Sequence, residues 1–277
     1  MLICDNDNVS PFGTNLGIMG KQRWIAPEIV MGKNDPDKNS DRFSLAVVLF
    51  RLLFINHPLE GRYSTPPCMT KDAEQKYYGS APIFVYDPST TENRPIPGTD
   101  HNLKLFWNVY PDYVKEAFIR AFSHDVMMKQ KPRILEKEWL DIFIRLRTEI
   151  GRCPHCGQET FIHSREATIF PAWNAAKRFP LQMRCKSKIR FAIFPGLKIS
   201  LWTVDSSLED IRTQVAEVVK NPKDPKLTWL RNLSQRTWSI NLPDGSQRPL
   251  PPQQVVPVRV GFEIHFLGGT NDSGIIK

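Results

Sequence analysis

Cysteine is scarce in this chain: Cys4, Cys68, Cys153, Cys156 and Cys185 are the five among 277 residues. An odd count with one close pair does not make a disulfide framework of the kind that staples small secreted domains. A long apolar run is missing too. Residues 45–55 are the most apolar stretch, but they are eleven in number and include Arg51, well short of the roughly 20 apolar residues that cross a bilayer. Met1-Leu2-Ile3-Cys4 leads straight into acidic and polar residues, so no secretory leader is read. A cytoplasmic, reducing setting without a membrane partner is expected. Internal repeats and low-complexity tracts are absent as well.

Acidic residues are in deficit. The formal net charge is +8 and the isoelectric point near 9.3. That balance suits an acidic partner such as nucleotide, nucleic acid or phosphoprotein, and it equally describes a basic surface with no partner. Hydrophobic content of 41% and charged content of 24% are ordinary for a globular chain. The length suits two domains at about 100–200 residues each. The 23 prolines gather in connectors and in the last third.

After Ser44, every residue to Ile55 is apolar except Arg51. A helix that is apolar nearly all round has no wet face and belongs in a core. Asn39, Ser40 and Asp41 offer N-cap oxygens, and Asn56 and Pro58 stop it. A jacket of helices is expected around it. Tyr113, Val114, Ala117, Phe118, Ala121 and Phe122 recur at helical spacing behind Pro111-Asp112, and Trp139, Ile142, Phe143, Leu146 and Ile150 form a second stripe. Residues 66–98, rich in Pro, Gly and Ser, read as a long connector of the kind that faces partners, with Phe84-Val85-Tyr86-Asp87-Pro88 inside it expected to pack locally. Cys68 in it reads as an ordinary thiol.

Asp41-x-Phe43-Ser44-Leu45-Ala46-Val47-Val48-Leu49-Phe50 and His57-Pro58-Leu59-Glu60-Gly61 resemble the central helix of a protein-kinase large lobe and the turn after it. Upstream, Ala26-Pro27-Glu28 matches the family's Ala-Pro-Glu motif. Leu2-Ile3-Cys4-Asp5-Asn6-Asp7 resembles the strand and metal-binding Asp that open the activation segment. The order of the three motifs is similar to that of bacterial Ser/Thr protein kinases, over residues 2–151. The resemblance implies that Asp5, with Asp7, would hold magnesium, a hard cation that prefers oxygen ligands and bridges nucleotide phosphates. By local sequence the same residues read as a turn rich in Asn and Asp. Asn6-Asp7 stands where the family has Phe-Gly. Ser10 and Thr14 become phosphoacceptor candidates. Glu28 is expected to pair with Arg133, a structural tie rather than a chemical one. Asp41 is expected to accept backbone hydrogen bonds from the catalytic loop and to cap its helix.

The Gly-rich phosphate loop, the strand Lys, its pairing Glu and the catalytic His-Arg-Asp loop are not in the 277 residues. These parts supply most of phosphoryl-transfer catalysis. The expectation is therefore a C-terminal portion of a Ser/Thr kinase, inactive as this chain, with ATP and Mg in the intact enzyme and neither held tightly here. Its partner would be the missing N-terminal kinase part or other proteins. The rival expectation is a pseudokinase-like interaction module that binds protein or phosphoprotein partners without catalysis.

Cys153-Pro154-His155-Cys156-Gly157 looks like a zinc-ribbon knuckle, two thiolates at a spacing that suits zinc. Where a second knuckle should stand is Ala172-Trp173-Asn174-Ala175, without thiols. Two ligands do not close a tetrahedral site, so tightly bound zinc is not expected. A remnant ribbon with Trp173 packed between two hairpins is expected instead; the alternative is a site completed by His163 or Cys185.

From Met183 the pattern has period two: Ile189, Phe191, Ile193, then Leu197, Ile199, Leu201. Residues 230–234, 238–240 and 258–266 read as further strands, with a turn at Pro243-Asp244-Gly245. The tail resembles a forkhead-associated domain, a β-sandwich that reads phosphothreonine. Asn232 and Ser234 match its Asn-x-Ser signature and would lie on the phosphopeptide face; the following Asn-Gly is replaced by Arg236-Thr237, and the upstream Gly-Arg and Ser-x-x-His are not found, so a structural sandwich that binds protein partners is the reading preferred over phosphopeptide binding. The basic run Arg184, Lys186, Lys188 and Arg190 has no aromatic stacking platform, so nucleic acid is not an expected partner. The fold class expected is α+β and multidomain: a mainly α kinase large lobe (1–151), a ribbon-like linker (152–182) and an all-β sandwich (183–277).

Overall fold

Asp37 starts the longest helix among the described residues. Its carboxylate accepts from the Ser40 N–H at 2.6 Å, and Ser40 Oγ accepts from the Asp37 N–H at 2.8 Å. This reciprocal cap satisfies two donors that the first turn leaves without partners. The helix, α2, runs Lys38–Phe54 and follows a short α1, Pro27–Val30. The cap thus falls earlier than Asn39-Ser40-Asp41, because Asp37 takes the extended backbone that a cap requires. At the other end Ile55 turns left-handed at φ 58° and its N–H closes on the Arg51 carbonyl at 2.9 Å.

The computed structural model describes residues 11, 14, 20–152, 159–161, 181–186, 189–224, 227–268 and 272–277. They fall into two units, Met1–Leu140 and Asp141–Lys277. The chain is of mixed α and β construction. Among the described residues no helix is long and apolar enough to cross a membrane.

In the first unit the core is aromatic. Phe50 of α2 is fully buried and meets Phe84, Phe118 and Phe122 nearly edge-on, at ring-centroid distances of 5.6, 5.3 and 6.0 Å. Edge-on approach sets the positive rim of one ring on the negative face of another. Phe118 and Phe122 come from α5, Asp112–Ala121, and the residue that closes it. A further helix, His101–Val109, brings Trp107 onto Phe54, and Trp139 packs on Phe118 at 4.9 Å. We number the intervening helices α3, Lys71–Gln75, and α4, His101–Val109; α6 is His124–Met127 and α7 Glu136–Thr148.

One expectation fails here. The central helix does have a wet face: Val48, Leu52 and Ile55 are 38%, 59% and 59% exposed. Val48 and Leu52, four apart, share one side of α2, and Ile55 follows at its left-handed cap, while Phe43, Ala46, Val47, Phe50 and Phe54 face the core. The connector at residues 66–98 packs locally around residues 84–88, as the sequence suggests. Phe84 and Val85 are buried within it. Asn93 organises it, donating to the carbonyls of Leu59 and Ile83 at 2.9 and 2.6 Å and accepting from the Tyr63 and Ser64 N–H groups. Gly61 permits this, since a Cβ there would stand 2.2 Å from the Asn93 carbonyl oxygen. Arg94 then ties Val85 and Asp87 by their carbonyls.

The second unit is β-rich and all its pairings are antiparallel. Hairpin β1–β2 joins Ile150–Arg152 to Glu159–Phe161. Six strands lie in the order β4-β3-β12-β11-β8-β9: Arg190–Ala192, Gln182–Cys185, Ser273–Ile276, Glu263–His265, Trp238–Asn241 and Gln247–Leu250. Four more lie in the order β10-β7-β6-β5: Val255–Pro257, Thr228–Asn232, Gln214–Lys220 and Lys198–Ser200. Val215, Val218 and Leu230 of the smaller sheet and Met183, Phe191, Trp238 and Ile264 of the larger share one buried core.

This departs from the strand pattern read from the sequence. Leu201 opens a short helix, α8, Leu201–Val204, rather than continuing β5. Residues 258–266 break into a turn at Gly261, φ 89°, before the three residues of β11. The longest strand, β6, and strands β9 and β12 were not foreseen. Cys185 is 2% exposed in the core, and burial pushes its thiol up to about 12. Cys153, Cys156, His163, Ala172, Trp173 and Ala175 lie outside the described residues, as does Lys188 of the basic run. Arg184 and Arg190 of that run are direct partners across the β3–β4 hairpin.

Candidate functional site

Glu28 sits in the single turn of α1, which Pro27 opens at the position where its missing N–H costs nothing. The carboxylate is 8% exposed and is met by Arg133, itself 5% exposed. Arg133 Nη1 donates to Glu28 Oε1 at 2.9 Å, and Nη2 donates to Oε2 at 2.7 Å. This is the two-point geometry in which a planar guanidinium fits a carboxylate. Nη1 also donates to the Asn39 carbonyl at 2.9 Å, in the first turn of α2. The guanidinium lies 5.5 Å from the Phe43 ring centroid. Lys129 adds a second cation 3.2 Å from Glu28 Oε1, from a backbone held left-handed at φ 61°. Burial pushes the Glu28 carboxyl up, but Arg133, the backbone and Lys129 outweigh it and hold it below the usual carboxylate value.

The Glu28–Arg133 pairing expected from the sequence is present, and Asn39 and Lys129 join it. Neither of the latter was foreseen. The basic residues Lys129 and Lys131 before Pro132 were the available sign for one; a backbone carbonyl leaves no sign. Asp41 stands two residues beyond Asn39, exposed at the start of α2. Partial desolvation and the neighbouring Asp37 raise its pKa. The uncovered side of α2 carries Val48 and Leu52 beyond it, with Ile55 at the cap, and Arg51 lies 4.7 Å from the Trp24 ring centroid.

His57 was quoted only as part of a motif, but it carries a second tie. Its Nε2 bonds the Arg23 carbonyl at 2.7 Å and its Nδ1 accepts from the Leu59 N–H at 3.1 Å. That pattern calls for the neutral ring protonated at Nε2. Burial, offset in part by Glu60 and the Arg23 carbonyl, brings its pKa down to about 4. Glu60 takes the Tyr78 hydroxyl at 2.9 Å and lies 3.4 Å from Arg23. The stretch before Ala26 is thereby pinned to the turn after α2.

Asp5, Asp7 and Ser10 lie outside the described residues, and Thr14 is exposed with its hydroxyl on the Pro11 carbonyl. Among the described residues no group of three or more His, Cys, Asp or Glu side chains is placed to hold a metal ion.

In the second unit Asn232 and Ser234 do lie together, but Asn232 faces inward. It is fully buried, donating to the carbonyls of Arg236 at 2.7 Å and Leu250 at 3.0 Å. Its Oδ1 accepts from both the N–H and the hydroxyl of Ser234 at 2.9 and 2.8 Å. Ser234 Oγ in turn accepts from the Trp238 indole at 3.0 Å. The pair builds the β7–β8 turn and has no side-chain amide left to offer a ligand.

No family model matches the chain, and no curated protein matches it. Among solved structures it is similar to the FHA domain of human APLF in complex with an XRCC1 bisphospho peptide, at 15% identity and a TM-score of 0.28, over 35% of this chain and 95% of that one.

Proposed function

We propose that this chain is the C-terminal portion of a Ser/Thr protein kinase, its large lobe from the activation segment onward, followed by a ribbon-like linker and a β-sandwich. The observation that supports this reading most is the buried Glu28–Arg133 pair, 105 residues apart in sequence. It joins the Ala26-Pro27-Glu28 turn to the stretch before α7 and, through the Asn39 carbonyl, to the start of α2. The motifs that suggested the family do not include Arg133, so the pair is independent support.

On this reading the uncovered side of α2 receives the catalytic-loop segment. Asp41, at the exposed start of α2, accepts backbone N–H groups from that segment, and Leu52 and Ile55 gain an apolar cover. Asp5 and Asp7 are the residues that would hold magnesium, which bridges the ATP phosphates; two carboxylates are the hard oxygen donors it prefers. The large lobe alone lacks the groups that cradle and position the phosphates, so phosphoryl transfer requires the polypeptide that carries them. Zinc plays no part in this reading, and Cys153 and Cys156 are remnants.

The test is the native polypeptide itself. Its intact mass and the coding sequence upstream of Met1 are determined together. An in-frame His-Arg-Asp-like loop with a nucleotide lobe supports a kinase. A native product that starts at Met1 overturns catalysis in favour of the interaction module, for which the open side of α2 is the docking face.

A further inference from the structure

A cleft of about 740 Å³ opens in the second unit, between the C-terminal half of α7, hairpin β1–β2 and strands β4 to β6. Its volume falls within the roughly 300–1,000 Å³ of small-molecule sites. The floor is apolar: Phe191 is 1% and Ile199 2% exposed, with Ile144 and Ile150 beside them. At the mouth stand Arg147 and Lys198, both exposed. Neither has an ion-pair partner among the described residues. Lys198 faces Glu217 across the strand register, but that carboxylate is engaged by Arg231 at 3.4 Å. Glu159 is the single carboxylate of the lining, against two cations. In the smaller cavity of the first unit, about 190 Å³, the lining carboxylate Glu28 is already paired with Lys129 and Arg133.

We propose that the cleft of the second unit binds a small amphipathic anion, with an apolar body on the Phe191–Ile199 floor and a carboxylate or phosphate head at Arg147 and Lys198. The apolar floor supplies burial, and the two cations supply charge-assisted hydrogen bonds to the head. The Ser200 hydroxyl, 3.0 Å from that of Thr203, lies in the same lining. This site is independent of the kinase reading of the first unit.

Calorimetric titration of the whole chain with decanoate, decyl phosphate and decanol tests it. One equivalent of decanoate or decyl phosphate binds saturably, and decanol binds at least about tenfold more weakly, the worth of one charge-assisted hydrogen bond. The tighter of the two anions identifies the head group. Arg147→Gln and Lys198→Gln each weaken the anion by about tenfold, while Arg147→Lys, which keeps the cation, binds within about threefold of the parent. Far-UV circular dichroism and Tm confirm that these surface variants fold. Decanol binding as tightly as the anions, no saturable binding below about 1 mM, or unchanged affinity in both Gln variants overturns the proposal.

Discussion

Arg133 and Glu28 share two hydrogen bonds, 2.9 and 2.7 Å long, with both side chains nearly excluded from water. Removing one member of such a pair strands the other charge, at a cost of about 3–5 kcal/mol. Arg133→Met is therefore expected to destabilise the first unit by that order, and Glu28→Gln by less, since Arg133 keeps the Asn39 carbonyl. A double-mutant cycle by urea denaturation measures the coupling. Near-zero coupling would mean that the pair holds nothing together. The sign with pH follows from the lowered Glu28 pKa: its contribution is present above the ordinary carboxylate value and is lost as pH falls through the folded value.

His57 supplies a second pH dependence. Its ring is neutral in the fold, with a pKa brought down to about 4 from 6.5. The unfolded chain takes up a proton below about pH 6.5, which the folded ring refuses until pH 4. The stabilisation is thus complete above pH 6.5 and fades as pH falls toward 4, by at most about 1.4 kcal/mol per pH unit. Urea midpoints at pH 7.5, 5.5 and 4.5 should fall more steeply for the parent than for His57→Gln. Parallel slopes would show that the imidazole is not buried as described.

Much of the first unit could be read in advance because its signals are local. Val114, Ala117, Phe118 and Ala121 mark the inner side of α5 by spacing alone, and all four are buried there. What escaped was set by distant partners. The role of Asn93 exists only because Leu59, Ile83, Tyr63 and Ser64 come to it. In β6 the buried positions are Val215, Ala216 and Val218, so neither strict alternation nor helical spacing announces it. The apolar run of α2 reads as buried on every side because composition does not say how many neighbours arrive. The Asn232-x-Ser234 pattern was visible, but only the fold shows its amide turned into its own loop.

The two sides of α2 should respond differently to truncation. Phe50 is fully buried among four rings, so Phe50→Ala is expected to cost about 3–5 kcal/mol. Leu52 is 59% exposed, and Leu52→Ala should stay within about 0.5 kcal/mol in the chain alone. The comparison is made by thermal and urea denaturation. Should polypeptide that carries a catalytic loop be added, Leu52→Ala ought to weaken its association while leaving Phe50 neighbours unchanged. Equal destabilisation by both substitutions in the isolated chain would mean that the outer side of α2 is covered after all.

Asn232 discriminates between a turn-building residue and a ligand-reading one. Its amide satisfies the carbonyls of Arg236 and Leu250, and its carbonyl oxygen holds both donors of Ser234. Asn232→Ala leaves the buried Leu250 carbonyl without its partner, at about 1–3 kcal/mol, strips the half-buried Arg236 carbonyl and Ser234 donors of theirs at less, and frees Ser234 Oγ, on which the Trp238 indole depends. Trp238 is 1% exposed in the sandwich core and packs on Phe266 at 4.8 Å, so the loss should reach the core as a change in tryptophan fluorescence. Asn232→Asp keeps an acceptor for Ser234 but cannot donate to the two carbonyls, and should fall between the parent and Ala. Ser234→Ala removes one hydroxyl and should cost less than Asn232→Ala. The readouts are urea midpoints and near-ultraviolet circular dichroism of all three variants. A stable Asn232→Ala variant that instead lost affinity for a phosphothreonine peptide would reverse the assignment, since an amide already spent on its own loop has none to give a phosphate.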